Sequence, residues 1–324
     1  MNTGQKKRWG KVMSSVGQKK KNRFEIDMCN GSLMDKLISF SLPLMLSGIL
    51  QLMFNAVDIV VVGRFAGSQA LAAVGSTTAL INVFTNLFIG VSLGANVLAA
   101  RFFASEREKE MSETVHTAIA LAIISGIIMT FIGLIFSRVA LELMGTPEDV
   151  INQATLYMRI YFVGMPFFML YNYGAAILRA VGDTKRPLAF LIVAGVTNAL
   201  LNLFLVIVCH LGVAGVAIGT IASQLISCIL VLRCLCKTEG SYRLYFSKLK
   251  IRSWYVKRIF QVGLPAGIQS TVINFSNVLL QSSVNSFGSV AMAGNTAANN
   301  IFGFLYVTVN SFSQTCMSFT SQNY

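Results

Sequence analysis

Eight stretches of this 324-residue chain are apolar for longer than a soluble helix requires, at roughly residues 37–63, 71–100, 114–137, 153–178, 187–210, 212–232, 259–286 and 291–321. An α-helix needs about 20 such residues to cross the hydrocarbon core of a bilayer. Inside that core each backbone N–H and C=O must be paired within the segment, which leaves helices or closed barrels as the only spanning structures. Runs of this length and continuity predict helices. The fold class expected is therefore all-α integral membrane, with eight transmembrane helices. Only 12% of the residues are charged, against about 25% in a soluble domain.

The charges are distributed by side. Of the 26 Lys and Arg, 23 lie before the first stretch or after the second, fourth and sixth, and only Arg64, Arg138 and Arg159 lie on the other side. By the positive-inside rule, the N-terminus is expected in the cytoplasm. The same distribution accounts for the net charge of +13, so no nucleic-acid partner is implied; the partner expected is membrane lipid. The basic tail, residues 1–36, has no apolar core and does not read as a cleavable signal peptide. Met1 and Met28 are both open as the start. Six cysteines and two histidines lack ligand or disulfide spacing, which argues against a metal centre. No cluster of His, Asp, Glu, Ser or Cys stands at catalytic spacing within the stretches, so an enzyme is not expected.

One acid interrupts this pattern. Asp58 is the only charged residue between Lys36 and Arg64, and a carboxylate at membrane depth costs about 2.5–3.5 kcal/mol on insertion scales, so it normally faces a bundle interior or an ion path. Ser47, Gln51, Asn55 and Asp58 fall on one stripe of a helix. The competing reading is that these polar groups only hydrogen-bond neighbouring helices.

The chain also repeats itself. Leu42-Pro43 and Asn55 recur as Leu264-Pro265 and Asn277 at an offset of 222 residues, and Gly67-Ser68-Gln69-Ala70-Leu71-Ala72 recurs as Gly288-Ser289-Val290-Ala291-Met292-Ala293 at 221. Six stretches separate the copies, so both enter from the same side, as in the parallel repeats of secondary transporters. The second copy keeps a polar stripe, Ser270, Asn274, Asn277 and Gln281, without an acid.

Several motifs together carry a family resemblance: Phe54-Asn-Ala-Val-Asp-Ile-Val-Val-Val-Gly-Arg-Phe-Ala-Gly67, Leu71-Ala-Ala-Val-Gly75, Met144-Gly-Thr-Pro147, Leu178-Arg-Ala-Val-Gly-Asp-Thr-Lys-Arg-Pro187, Gly212-Val-Ala-Gly-Val-Ala217 and Ser318-Phe-Thr-Ser-Gln-Asn-Tyr324. In this order they resemble the first two-thirds of a bacterial multidrug and toxic compound extrusion (MATE) transporter. The resemblance implies a twelve-helix, two-lobe fold, C-terminally truncated here. Residues 1–36 would be a cytoplasmic tail, 37–236 a six-helix lobe, 237–258 an inter-lobe linker, and 259–324 the first two helices of a second lobe. It further implies a drug antiporter of the bacterial plasma membrane, monomeric when full length and without a cofactor, coupling export of organic cations or other drugs to H+ or Na+.

Carried over by motif, the ion site would be Asp58, Asn198, Asn202 and Thr220, with Gln51 and Asn55 on the same path and Asn274, Asn277 and Gln281 on the cavity wall of the second lobe. This oxygen set suits Na+, while Asp58 alone could carry a proton. Asn202 stands where many relatives have an aspartate. Two alternatives remain at this level. One is a flippase for lipid-linked saccharides on a related fold, against which no basic residue lies well inside a stretch; the other is a fragment that does not transport. The aromatic set Tyr157, Tyr161, Phe162, Phe167, Phe168, Tyr171 and Tyr173 is expected mostly to face lipid.

Overall fold

A computed structural model of the chain describes residues 26, 28, 32–285 and 289–323, apart from the side chains of residues 79, 277–279, 281–285, 289–297 and 299–301. Among the described residues there is no strand. The chain runs through α1 (Leu33–Phe65), α2 (Ser68–Ala104), α3 (Glu108–Leu143), α4 (Glu148–Val163), α5 (Met165–Ala180), α6 (Lys185–Leu203, extended by a π turn, Phe204–Val208), α7 (Gly212–Lys237), α8 (Ser253–Asn285) and α9 (Ser289–Asn323). By length and hydropathy α1, α2, α3, α6 with its π turn, and α7 can each cross a membrane, and the bent pair α4–α5 makes a sixth passage. Helices α8 and α9, of 33 and 35 residues, fall outside that count. The expected number of eight crossings is thus met by this measure for six.

The outer faces fit lipid and not water. Along α3, Ile124, Ile127, Ile128, Phe131, Leu134, Ile135, Phe136 and Val139 are all exposed, a belt far too apolar for an aqueous surface. Its opposite face is buried on small residues: a Cβ on Gly126 would collide with Pro166, and one on Gly133 with the Phe162 ring. Small residues let membrane helices approach closely and gain dispersion contacts, which stand in for a hydrophobic drive that lipid cannot supply.

The fourth stretch, expected as one helix over 153–178, is broken by 49° between α4 and α5. Pro166 has no N–H to give to the carbonyl of Phe162 four residues back, and such a gap is an ordinary cause of kinking. That carbonyl is satisfied from outside the helix, by the Thr130 hydroxyl at 2.8 Å. The aromatic residues on this pair correct the sequence expectation. Tyr157, Phe162, Tyr171 and Tyr173 are buried, and Tyr161, Phe167 and Phe168 are half-buried, because α4 and α5 pack among α2, α3 and α7.

The two repeat copies meet at one end. Where α2 crosses α8, a Cβ on Gly90, Gly94, Gly263 or Gly267 would fall on the opposing backbone, so the two main chains touch directly. The repeat offset maps this crossing onto α1 and α9, where Ser41, Ser311 and Thr315 are buried and Gly48 abuts Val307. On the same end the Ser318 hydroxyl donates to Asn96 Oδ1 at 3.1 Å, and Asn96 Nδ2 donates to the Ala176 carbonyl at 2.8 Å. Toward the other end, Met53, Ile59 and Val60 of α1, Val272, Phe275 and Leu280 of α8, and Phe302, Leu305 and Val309 of α9 are exposed.

A turn at Gly182-Asp183 joins α5 to α6. Gly182 sits at φ +89, where a side chain is strained, and a Cβ there would also strike the Ile26 carbonyl. Asp183 is fully buried and accepts from the Arg186 backbone N–H at 3.1 Å while its other oxygen pairs with the Arg186 guanidinium. Pro187 lies in the first turn of α6, where a missing N–H has no intrahelical partner to lose.

Candidate functional site

Asp58 is brought against α6 by shape. A Cβ on Gly195 would overlap the Phe54 ring, so α1 lies on α6 through an aromatic ring set into a glycine notch. One turn beyond Phe54, the Asp58 side chain reaches into the bundle, where Asn202 Nδ2 donates to its Oδ1 at 2.5 Å. Longer contacts continue the chain of amides: Asn202 Nδ2 to Asn198 Oδ1 at 3.4 Å, and Asn198 Nδ2 to Thr220 Oγ1 at 3.4 Å. Thr220 in turn donates to the Val216 carbonyl at 2.9 Å.

Asn202 is fully buried, and its Oδ1 has no hydrogen-bond partner among the described residues. It fits only because its neighbour on α7 is a glycine: a Cβ on Gly219 would lie well inside van der Waals contact of that oxygen. Directly after Asn202 and Leu203, α6 loosens into the π turn Phe204–Val208, a distortion common at functional positions in helices. Tyr157 and Tyr161 of α4 stand within electrostatic reach of the Asp58 carboxylate. Beyond Thr220 a void of about 10 Å³, lined by Tyr161, Phe168, Thr220 and Gln224 among others, has room for about one water.

Of the residues singled out in the sequence, Asp58, Asn198, Asn202 and Thr220 are therefore brought together, from three helices. Gln51 and Asn55 are not: both are exposed and make no hydrogen bond among the described residues. Asn274 is occupied by its own helix, donating to the Ser270 carbonyl at 2.8 Å. Asn277 and Gln281 lie on α8, but their side chains are outside the described ones. Sequence reasoning named Tyr157 and Tyr161 only in an aromatic set expected mostly to face lipid, and it missed Gln224. It also missed Gly195 and Gly219, whose importance is an absence of side chain opposite another helix. Among the described residues no group of three His, Cys, Asp or Glu could hold a metal ion.

Residues 43–204, half of the chain, match the MatE family model. The chain belongs to the MatE family. MatE proteins are membrane transporters and not enzymes, and the curated relatives agree with that assignment. The chain is 31% identical over 293 residues to the "Probable multidrug resistance protein YoeA" of Bacillus subtilis, covering 88% of this chain and 63% of the relative. It is 28% identical over 300 residues to the "Probable multidrug resistance protein YpnP" of the same organism, covering 92% and 66%. The chain thus spans just under two-thirds of the length of these relatives. Among solved structures, the fold resembles a MOP superfamily transporter from Pyrococcus furiosus, with a TM-score of 0.85 at 22% identity over 93% of this chain and 67% of that one. Within the MatE match fall α6 up to its π turn, most of α1, and three of the four clustered residues: Asp58, Asn198 and Asn202.

Proposed function

We propose that this MatE protein exports organic cations or other drugs, driven by inward movement of H+ or Na+ through the Asp58 site. The observation that carries the reading is the unpartnered Asn202 oxygen, buried on the amide that donates to Asp58, the one acid of α1 beyond its first turn. A buried acceptor without a partner costs about 1–3 kcal/mol, and a cation that takes this oxygen as a ligand removes that cost. A sodium ion would take Asp58, the free Asn202 oxygen, and hydroxyl or amide oxygens of Thr220 and Asn198, a hard-oxygen set. A proton on Asp58 turns its carboxyl into a donor, and a half-turn of the Asn202 amide then offers the free oxygen as acceptor. In both cases the ion interacts differently with Asp58 before and after water access changes, as a driving ligand must.

In this reading residues 37–236 form the first lobe, 237–258 the connection, and 259–324 the first two helices of the second lobe. The end at which α2 and α8 cross is the cytoplasmic one, and the protein lies in a bacterial plasma membrane as a multi-pass monomer. Exposed Gln51 and Asn55 would line the drug path. The test is efflux of a fluorescent organic cation from proteoliposomes under an imposed proton or sodium gradient. Asp58→Asn at normal abundance should lose gradient-driven efflux, and Asn55→Ala should lose less. Efflux by Asp58→Asn at the unmodified rate under both gradients would remove Asp58 from the coupling step.

A further inference from the structure

At the end where the repeat copies meet, a cleft of about 390 Å³ opens between the start of α3 and the segment that connects α7 to α8. Its walls are Lys109, Ser112, Glu113 and His116 from α3, and Ser247, Lys248, Lys250 and Arg252 from the connection. The connection is fixed rather than free: Tyr242 and Leu244 are buried, and the Tyr245 backbone N–H donates to His116 Nε2 at 3.1 Å. His116 Nδ1 faces the Ser112 carbonyl at 2.6 Å, and its ring lies parallel to that of Tyr245. An imidazole that accepts at Nε2 and donates at Nδ1 is neutral, so His116 adds no charge.

The four remaining cations meet one carboxylate. Glu113 is held by Arg252 at 3.1 Å, which leaves Lys109, Lys248 and Lys250 without an ion-pair partner among the described residues. A general excess of Lys and Arg on this side follows from topology. That rule says nothing about a cavity, and exposed Lys185, Lys237 and Lys257 do not line this one. Lys248 also lies over the Tyr245 ring, 4.7 Å from its centroid, a contact that leaves its charge in place. Three ammonium groups with no carboxylate of their own around a concave space repel one another and attract a multivalent anion. A volume near 390 Å³ lies in the range of small-molecule sites, about 300–1,000 Å³. Basic pockets at helix ends on this side of a membrane suit phosphate-bearing headgroups.

We propose that this cleft binds a phosphate-bearing anion through Lys109, Lys248, Lys250 and Arg252. The bound anion bridges α3 to the entry of α8, which starts at Ser253 directly after Arg252. It therefore ties the first repeat copy to the second, at the joint any relative movement of the two must bend. The phosphate can come from an anionic phospholipid or from a soluble diphosphate, and the chemistry of the cleft is common to both.

The test uses the whole purified protein in phosphatidylcholine nanodiscs, with phosphatidylglycerol titrated and counted by native mass spectrometry in one arm. In the other arm, binding of inorganic pyrophosphate is measured by equilibrium dialysis. The triple variant K109Q/K248Q/K250Q is compared with K185Q/K237Q/K257Q, which removes the same charge from the same side; all six lysines are exposed, and melting curves check that both variants fold. The expected result is at least a tenfold weaker midpoint for the first triple variant and less than a twofold change for the second. Loss in the phosphatidylglycerol arm identifies a lipid headgroup, and loss in the pyrophosphate arm a soluble anion. Equal weakening by both variants, or no binding in either arm, overturns the proposal.

Discussion

Placing a methyl group at Gly219 is the sharpest probe of the Asp58 site, because its sign should reverse with the residue at position 202. The Cβ of Gly219→Ala would occupy the space of the buried Asn202 oxygen. Asn202 has little room to retreat, since it is fully buried and donates to Asp58. Overpacking of this kind costs about 1–3 kcal/mol. If the amide is pushed off Asp58, a hydrogen bond to a charged group worth about 1.5–3 kcal/mol goes with it. With both contributions the single variant should lose about 2.5–6 kcal/mol. At about 2–4 °C per kcal/mol, the lower bound alone lowers the melting midpoint by about 5–10 °C.

Removing the amide removes the clash. In an Asn202→Ala background, Gly219→Ala should be neutral or stabilising by about 0.5–1 kcal/mol, the ordinary preference for Ala over Gly within a helix. The assay is a double-mutant cycle of melting midpoints in detergent, in which two residues in contact show a coupling of about 0.5–3 kcal/mol or more. If Gly219→Ala melts like the unmodified protein, or is equally damaging in the Asn202→Ala background, then α6 and α7 do not meet at this pair and the geometry of the site is wrong.

Other outcomes test other parts of the molecule. A tag inserted after Glu239 should be reached only from the cytoplasm and one at Glu148 only from outside, and labelling of Glu148 from the cytoplasm would overturn the orientation. Cysteines at Asn96 and Ser318, whose side chains touch at 3.1 Å, should cross-link in a background without other cysteines, and failure to do so in membranes would contradict the contact between the repeat copies. Asp183→Ala takes the buried carboxylate from Arg186, which keeps its contacts to Cys234 and Tyr242, so the loss should be at most that of a broken buried pair, about 3–5 kcal/mol. Its melting midpoint should fall well below that of Glu142→Ala, which breaks only the exposed pair with Arg138; equal midpoints would count against a buried pair.

The apolar stretches were enough to read helices and their approximate ends. Bilayer thickness and backbone hydrogen bonding leave a segment of that length no other regular structure. Asp58 was legible for the same reason: a single acid in such a segment is expensive wherever it sits. What sequence could not show is where a helix has a hole. Gly219 and Gly195 look like any other glycine until Asn202 and Phe54 are seen in the spaces they leave. Thr130 looks like an ordinary hydroxyl until it is found on the carbonyl that Pro166 leaves without a donor. The burial of Tyr157 and the half-burial of Tyr161 follow from the helices packed around α4, which periodicity along one stretch does not reveal.

The cleft of Lys109, Lys248 and Lys250 belongs to the same class. Its charges were visible in the sequence as part of a topological excess, but their convergence required the connection to fold back onto His116. Local chemistry, set by the solvent each segment must meet, was thus determined residue by residue along the chain. The pairing of a donor, a notch or a charge on one helix with its counterpart on another was decided by tertiary packing, because the partners are tens to hundreds of residues apart and nothing in either segment alone specifies the other.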